Sequence, residues 1–474
     1  MKKTLLAVVL LSALCSVAAA QTIQNLVHQP NNGAGVSYLM TDGTVLTQGG
    51  SDSDWWKLTP DNKGSYVNGT WTQVASLPAG YVPLYFPGAV LADGRLVISG
   101  GEYNNRSFVL SNMGAVYDPK TNSWTKLAPP AGWKTIGDSE SVVLPDGSFM
   151  VGQKLTTSVA KLDPKTLTWK VLPSTGKNHF NSEEGWTLMP DGTILTADVK
   201  TAPNSEFYSA ATGKWTSAGS TIVDLHSPTN VVGCLPYPGG CYFPPGEIGP
   251  QILRPDGTVF VTGSLAKSAT TGHTSVYHPS TKKWVVGPDF PGGDNAGDSS
   301  AVLLPSGNVL VLGNSGQLYE FNGTTLKPAL SGYSPILILP TGQALVIGNS
   351  VGVYNSTGTV QAAWRPVITT APTSVTHGMT YSISGKQFNG LSQAAAFGDE
   401  DETATNYPLV RITNNGSKHV FYAKTHDHTS MGVATGNLIV TTNFDVPSGI
   451  ETGLSTLVVV SNGIASVPVN VTVN

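Results

Sequence analysis

Three carboxylic acids, Asp138, Glu183 and Asp298, each stand eight residues ahead of a tight-turn pair: Asp146-Gly147, Asp191-Gly192 and Ser306-Gly307. Carboxylates gathered at one place repel one another unless they hold a cation, share protons or bind the hydroxyls of a polyhydroxy ligand. Carboxylates crowded without compensation would also be nearly dispensable for folding. The competing reading is that an Asp before Ser caps a turn through its own backbone hydrogen bonds. Trp186 and Tyr85 offer flat faces on which a sugar ring could stack beside the acids. A hydrolytic pair would need two carboxylates roughly 5 to 9.5 Å apart, and no nucleophile with its base assembles by spacing.

Two further groups carry weaker chemistry. In "HVFYAKTHDHTSM", His426 and His428 would share one face of a strand about 7 Å apart, with Asp427 pointing the other way. A metal would need a third ligand, so imidazoles bonded to loop backbone at a surface or domain contact are the plainer use. Asp399, Glu400, Asp401 and Glu402 crowd one loop, "FGDEDETATNYP"; such a run is ordinarily solvated, with weak calcium binding as the sharper alternative. Cys234 and Cys241, in "CLPYPGGC", are expected to form a disulfide that stabilises a long loop by about 2–3 kcal/mol.

The elements that must position these residues are short β-runs. Apolar alternation broken by Asp-Gly or an equivalent turn recurs seven times, from "LMTDGTVLTQGG" and "VLADGRLVISGG" to "ILPTGQALVIG". Trp71, Trp124, Trp169, Trp215 and Trp284 follow five of these copies, the last four seven residues after a Tyr or Leu. A unit of this kind cannot bury both faces alone, and its repetition predicts an all-β, seven-bladed kelch-type propeller. The propeller is expected over residues 21–367, its blades over about 33–367, with "TIQNLVHQP" lending a strand to the last blade. "TIVDLHSPTNVVGCLPYPGGCYFPPG" is an insertion in the fourth. Residues 368–474 alternate over longer runs and read as an immunoglobulin-like β-sandwich.

Residues 1–20, "MKKTLLAVVLLSALCSVAAA", read as a signal peptide, so the chain is expected to be secreted or periplasmic. Without Lys2 and Lys3, 24 basic groups face 30 acidic ones, a formal charge of about −6, with no basic run for nucleic acid. Beyond the leader no apolar segment reaches the roughly 20 residues of a membrane helix.

The blades followed by a sandwich opening "PVITTAPTSVTHGMTYSISG" and closing "NGIASVPVNVTV", with "FPG" before the second hairpin and "TNNG" in the sandwich, resemble galactose oxidase and glyoxal oxidase. The resemblance implies a copper ion held by two tyrosines and two histidines, one tyrosine crosslinked to a cysteine. Carried over position by position, the cysteine falls on Phe86, the crosslinked tyrosine on Asp138, and the Tyr-His pair on Gly297 and Asp298. The remaining histidine belongs to the loop "AAAFGDEDETATNYP", which has none. Neither copper nor any other cofactor is therefore expected. The function expected is non-catalytic binding of extracellular carbohydrate or a partner protein. The alternatives are a carbohydrate-active enzyme using the axial carboxylates and, behind it, a copper-radical oxidase.

Overall fold

The computed structural model describes residues 20–50, 52–228, 233–234, 241–242, 246–397 and 403–474. The leader up to residue 19, most of the Cys-containing insertion and the acidic run Asp399 to Glu402 lie outside the described residues. Gly233–Cys234 pairs antiparallel with Cys241–Tyr242, which sets the two cysteines opposite one another in backbone register; the expected sulfur–sulfur bond falls outside the described residues.

The architecture is all-β and propeller-like. Among the described residues seven sheets succeed one another, six of four strands and the sixth of five, the first built from Ser37–Leu39, Val45–Gln48, Trp55–Thr59 and Thr70–Val74. The repeated turn pair lies between the first and second strands of each sheet. Its glycine, Gly147 in the third sheet, has φ +84°, a left-handed angle that costs glycine nothing. The first strands of sheets two to seven are Gly88–Val90, Ser141–Val143, Thr187–Leu188, Gln251–Leu253, Ser300–Leu303 and Tyr333–Ile338. Those of sheets two to six are buried throughout because sheet lies against sheet on both faces, and that of the seventh is buried over half its length.

In the cyclic order fourth, fifth, sixth, seventh, first, second, third, each first strand packs against the next. Across the remaining gap, Ser182 N donates to Glu140 Oε1 at 2.8 Å. The outer rim is tied by the tryptophans that recur in the sequence. Each stands opposite its repeat partner, as Tyr117 opposite Trp124 and Tyr208 opposite Trp215. The indole N–H of Trp124 donates to Ala75 O at 2.9 Å, that of Trp169 to Ala128 O at 2.7 Å and that of Trp284 to Ala218 O at 3.0 Å, each on the preceding sheet. The seventh sheet takes its outer strand from the other end of the chain: Thr22–Asn25 pairs antiparallel with Val351–Asn355, as "TIQNLVHQP" led us to expect. Trp71 of the first sheet donates to His28 O at 3.1 Å just beyond that strand.

From Val367 onward, strands of up to nine residues form a second all-β unit. Val420–His426 pairs with Leu409–Asn414 through its first half and with Ile439–Asp445 through its second, so it joins two sheet halves over a core that includes Val410, Phe444 and Val459. One excursion leaves this unit. Ala395–Phe397 pairs with Ser300–Leu303 and gives the sixth sheet a fifth strand on its inner edge. Around it, Gln393 Oε1 accepts Leu188 N at 2.7 Å, Thr403 Oγ1 donates to Ile336 O at 2.7 Å, and the Tyr407 hydroxyl donates to Leu39 O. These partners belong to the first strands of the fourth, seventh and first sheets, so the segment occupies the middle of the ring. Among the described residues no helix is long and apolar enough to cross a membrane.

Candidate functional site

The three carboxylates lie at the end of the ring where the first strands begin. Asp138 comes three residues before Ser141, Glu183 four before Thr187 and Asp298 two before Ser300. The chain enters there by sharp turns, with φ +78° at Gly137 and +50° at Asp298. Between the first two acids stands a residue that reading by motif did not select. Lys154 Nζ donates to Asp138 Oδ2 at 2.8 Å and to Asp138 O at 3.0 Å, and pairs with Glu183 Oε1 at 2.8 Å. Its side chain is 4% exposed. It is held there because Lys154 N donates to Ile136 O, which folds the end of the second strand back over Gly137. Crowded acids call for a cation, a polyhydroxy ligand or shared protons, and for two of these three the chain's own ammonium is the cation.

Burial raises the Asp138 carboxyl to about 6 from an ordinary 3.8; Lys154 opposes the rise and Glu183 adds to it. Asp138 Oδ1 is buried with no hydrogen-bond partner. Asp298 differs. It is exposed to solvent, yet crowding by protein raises its carboxyl, with the charge of Lys154 opposing. A group that water touches while protein surrounds it lies in a recess.

Behind this group is a second set of buried charges. The Lys177 ammonium, fully buried, pairs with Glu184 and, at 3.5 Å, with Glu206, and sits 4.2 Å over the Trp215 ring. Burial pushes Glu184 up to about 7 against the pull of Lys177. Burial alone would lower Lys177, but its two glutamates hold it above the usual lysine value. The adjacent Glu183 and Glu184 therefore serve two different lysines, each on its own side of the strand entry.

The remaining candidates separate. Trp186 is 2% exposed and packed in the core with Trp215, so it cannot stack a ligand. It precedes the strand Thr187–Leu188 in a stretch, residues 184–189, that is buried throughout, so it is core and not the stacking surface expected of it. Phe86 is likewise buried, at 1%. Tyr85 is 45% exposed with φ +50° and lies edge-on to Tyr103 at 6.0 Å. Tyr103 is raised first by Glu102, then by burial and by the charge of Asp138, which puts this aromatic group beside the acids.

His426 and His428 do not share a strand face. The strand ends at His426, and Asp427, at φ +54°, turns back so that its carboxylate meets His426 Nδ1 at 2.7 Å. Asp445 takes His426 Nε2 at 3.2 Å. His428 is buried against Tyr407, bonds Thr442 through Nδ1 at 2.8 Å, and is lowered to about 3 by burial. Its backbone N–H donates to Ala92 O of the second propeller sheet. Among the described residues no three His, Cys, Asp or Glu side chains are grouped to hold a metal ion.

Lys154 had a readable signal. Eight residues after the seven turn pairs stand Gly50, Gly101, Lys154, Val199, Ser264, Asn314 and Asn349, and Lys154 alone is charged. Counting backward from the turns found the acids; counting forward finds their cation.

No protein-family profile matches the chain. A stretch of 131 residues is 27% identical to the Kelch-like protein terF of Aspergillus terreus, covering 27% of each chain, so this chain spans about a quarter of the curated relative it matches. Among solved structures, a fungal alcohol oxidase of the AA5 family in complex with copper superposes on 96% of this chain and 100% of its own, at TM-score 0.50 and 14% identity. A streptogramin B lyase covers 71% of this chain and 97% of its own, at TM-score 0.47 and 14% identity. In fold the chain is similar to that AA5 alcohol oxidase, and part of its sequence is similar to a Kelch-like protein.

Proposed function

We propose that the chain is an exported seven-bladed kelch propeller with an immunoglobulin-like C-terminal sandwich, and that the mouth of its axis binds extracellular carbohydrate without transforming it. The observation that carries this reading is the Lys154 ammonium between Asp138 and Glu183. It ties up the buried Asp138 and the half-buried Glu183 and leaves Asp298 as the exposed one of the three, while Tyr85 is an exposed ring where the second sheet begins. A carboxylate acceptor in a recess suits the hydroxyls of a polyhydroxy ligand, and an exposed ring at the same end of the ring of sheets offers a face for stacking.

The same geometry opposes the other readings. A general acid and base need two carboxylates free to exchange protons with substrate, whereas Asp138 is bonded to Lys154 and shielded from solvent. The residues do not fit the copper of the AA5 neighbour. Phe86 fills the core where a crosslinking cysteine would stand, and an ammonium among the acids repels a divalent ion. The test joins a glycan array to product analysis on the wild type, Asp298→Asn and Tyr85→Ala. Binding without product, lost in both variants, is expected. Products that vanish in Asp298→Asn would establish an enzyme instead, and stoichiometric copper with peroxide release on galactose or glyoxal would overturn the reading entirely.

A further inference from the structure

At the same mouth, between the sixth, seventh and first sheets, lies a pocket of about 190 Å³ walled by Ala34, Val36, Ile336, Ile347 and Phe397. Three hydroxyls also line it, but they are already engaged. Ser300 Oγ and Ser334 Oγ share a hydrogen bond of 2.7 Å, and Thr403 Oγ1 is bonded to Ile336 O. The pocket therefore presents mainly apolar surface, with one serine O–H and the hydroxyl lone pairs as its polar part. An apolar cavity of roughly 150 Å³ is large enough for benzene, so this one admits a single six-membered ring. It suits a sugar ring less well, because most of the sugar's hydroxyls would face carbon and be desolvated without partners. Asp298, the exposed carboxylate of the proposed carbohydrate site, is two residues from Ser300 in the pocket wall.

From this juxtaposition we infer that the ligand is a glycoside whose aglycone is an apolar ring: the sugar lies on Asp298, and the ring enters the pocket. This rests on the carbohydrate reading above and names the class of sugar derivative it takes. The pocket also explains how one recess can select among glycans that expose similar hydroxyls, because its walls reward only those carrying an apolar ring.

The test is calorimetric titration with methyl and phenyl glycosides of the same sugars, glucose and galactose, and with benzyl alcohol. Phenyl glycosides should bind at least tenfold more tightly than their methyl counterparts. Ala34→Leu, which fills the pocket from a half-buried position, should abolish that difference while methyl glycosides bind as before and the melting temperature holds. Ile336→Ala, which enlarges the pocket, should shift the preference toward 2-naphthyl glycosides. Equal affinity for methyl and phenyl glycosides would overturn this inference and leave the carbohydrate reading standing. If neither glycoside binds, whether or not benzyl alcohol does, both are overturned.

Discussion

Lys154 shows how one residue changes the meaning of its neighbours. With two carboxylates on one buried ammonium, removing the ammonium leaves uncompensated buried charge. Lys154→Met should therefore cost about 3–5 kcal/mol in urea denaturation at pH 7, and Lys154→Met combined with Asp138→Asn should recover part of it. The Asp138 carboxyl binds its proton more tightly folded, at about 6, than unfolded, at 3.8. Such a group favours the folded state most below pH 4, and its contribution declines as pH rises to about 6. Asp138→Asn should flatten this decline, so that the variant gains on the wild type between pH 4 and 7. An unchanged difference across that range would mean that Asp138 titrates normally. Which acids to examine was legible from spacing; their compensation was not, because a lone lysine after a strand looks like any exposed cation until the seven turns are compared. Trp186 was misplaced because residues 184–189 are buried throughout, and a two-residue strand such as Thr187–Leu188 gives too few alternations to show it.

At the scale of the element, the repeated hairpin was the most legible feature, since turn glycine and β-branched alternation point to the same structure. Leu144 and Leu304 follow the first strands of their sheets, their N–H groups closing the hairpins onto Ser148 O and Asn308 O, and both are buried. Truncation of either to Ala should cost about 2–5 kcal/mol, read from denaturation midpoints, whatever the protein binds. The terminal strand matters differently. Deleting residues 20–25 would expose the edge of Val351–Asn355, and unpaired edges recruit other chains. Size-exclusion chromatography of that truncation should show association together with a lower melting temperature. The fifth strand of the sixth sheet was hidden because Ala395–Phe397 has only three residues, bounded by loop, and its partner is distant in sequence.

Over the whole molecule, the described residues around Gln393 and Tyr407 tie the C-terminal unit to four of the successive sheets, the first, fourth, sixth and seventh. The two units should consequently unfold together. Calorimetry should give one transition whose calorimetric and van't Hoff enthalpies agree, and two separated transitions would show that the inserted segment does not couple them. Gln393→Ala leaves the Leu188 N–H without its acceptor and should lower that single transition by about 1–3 kcal/mol.

The pairing of Thr22 with Asn355, 333 positions apart, also sets an order in time. Each four-strand unit can assemble from its own neighbourhood as the chain emerges, but the first segment to appear has no partner until nearly three quarters of the sequence has followed. Joining such distant segments is slow because many other arrangements must be searched first. Until then the ring stands open at one seam, with the Val351–Asn355 edge bare. The vulnerable period of this protein is thus its own synthesis, and a helper that shields a lone β-edge during that interval would raise its yield without touching the finished structure.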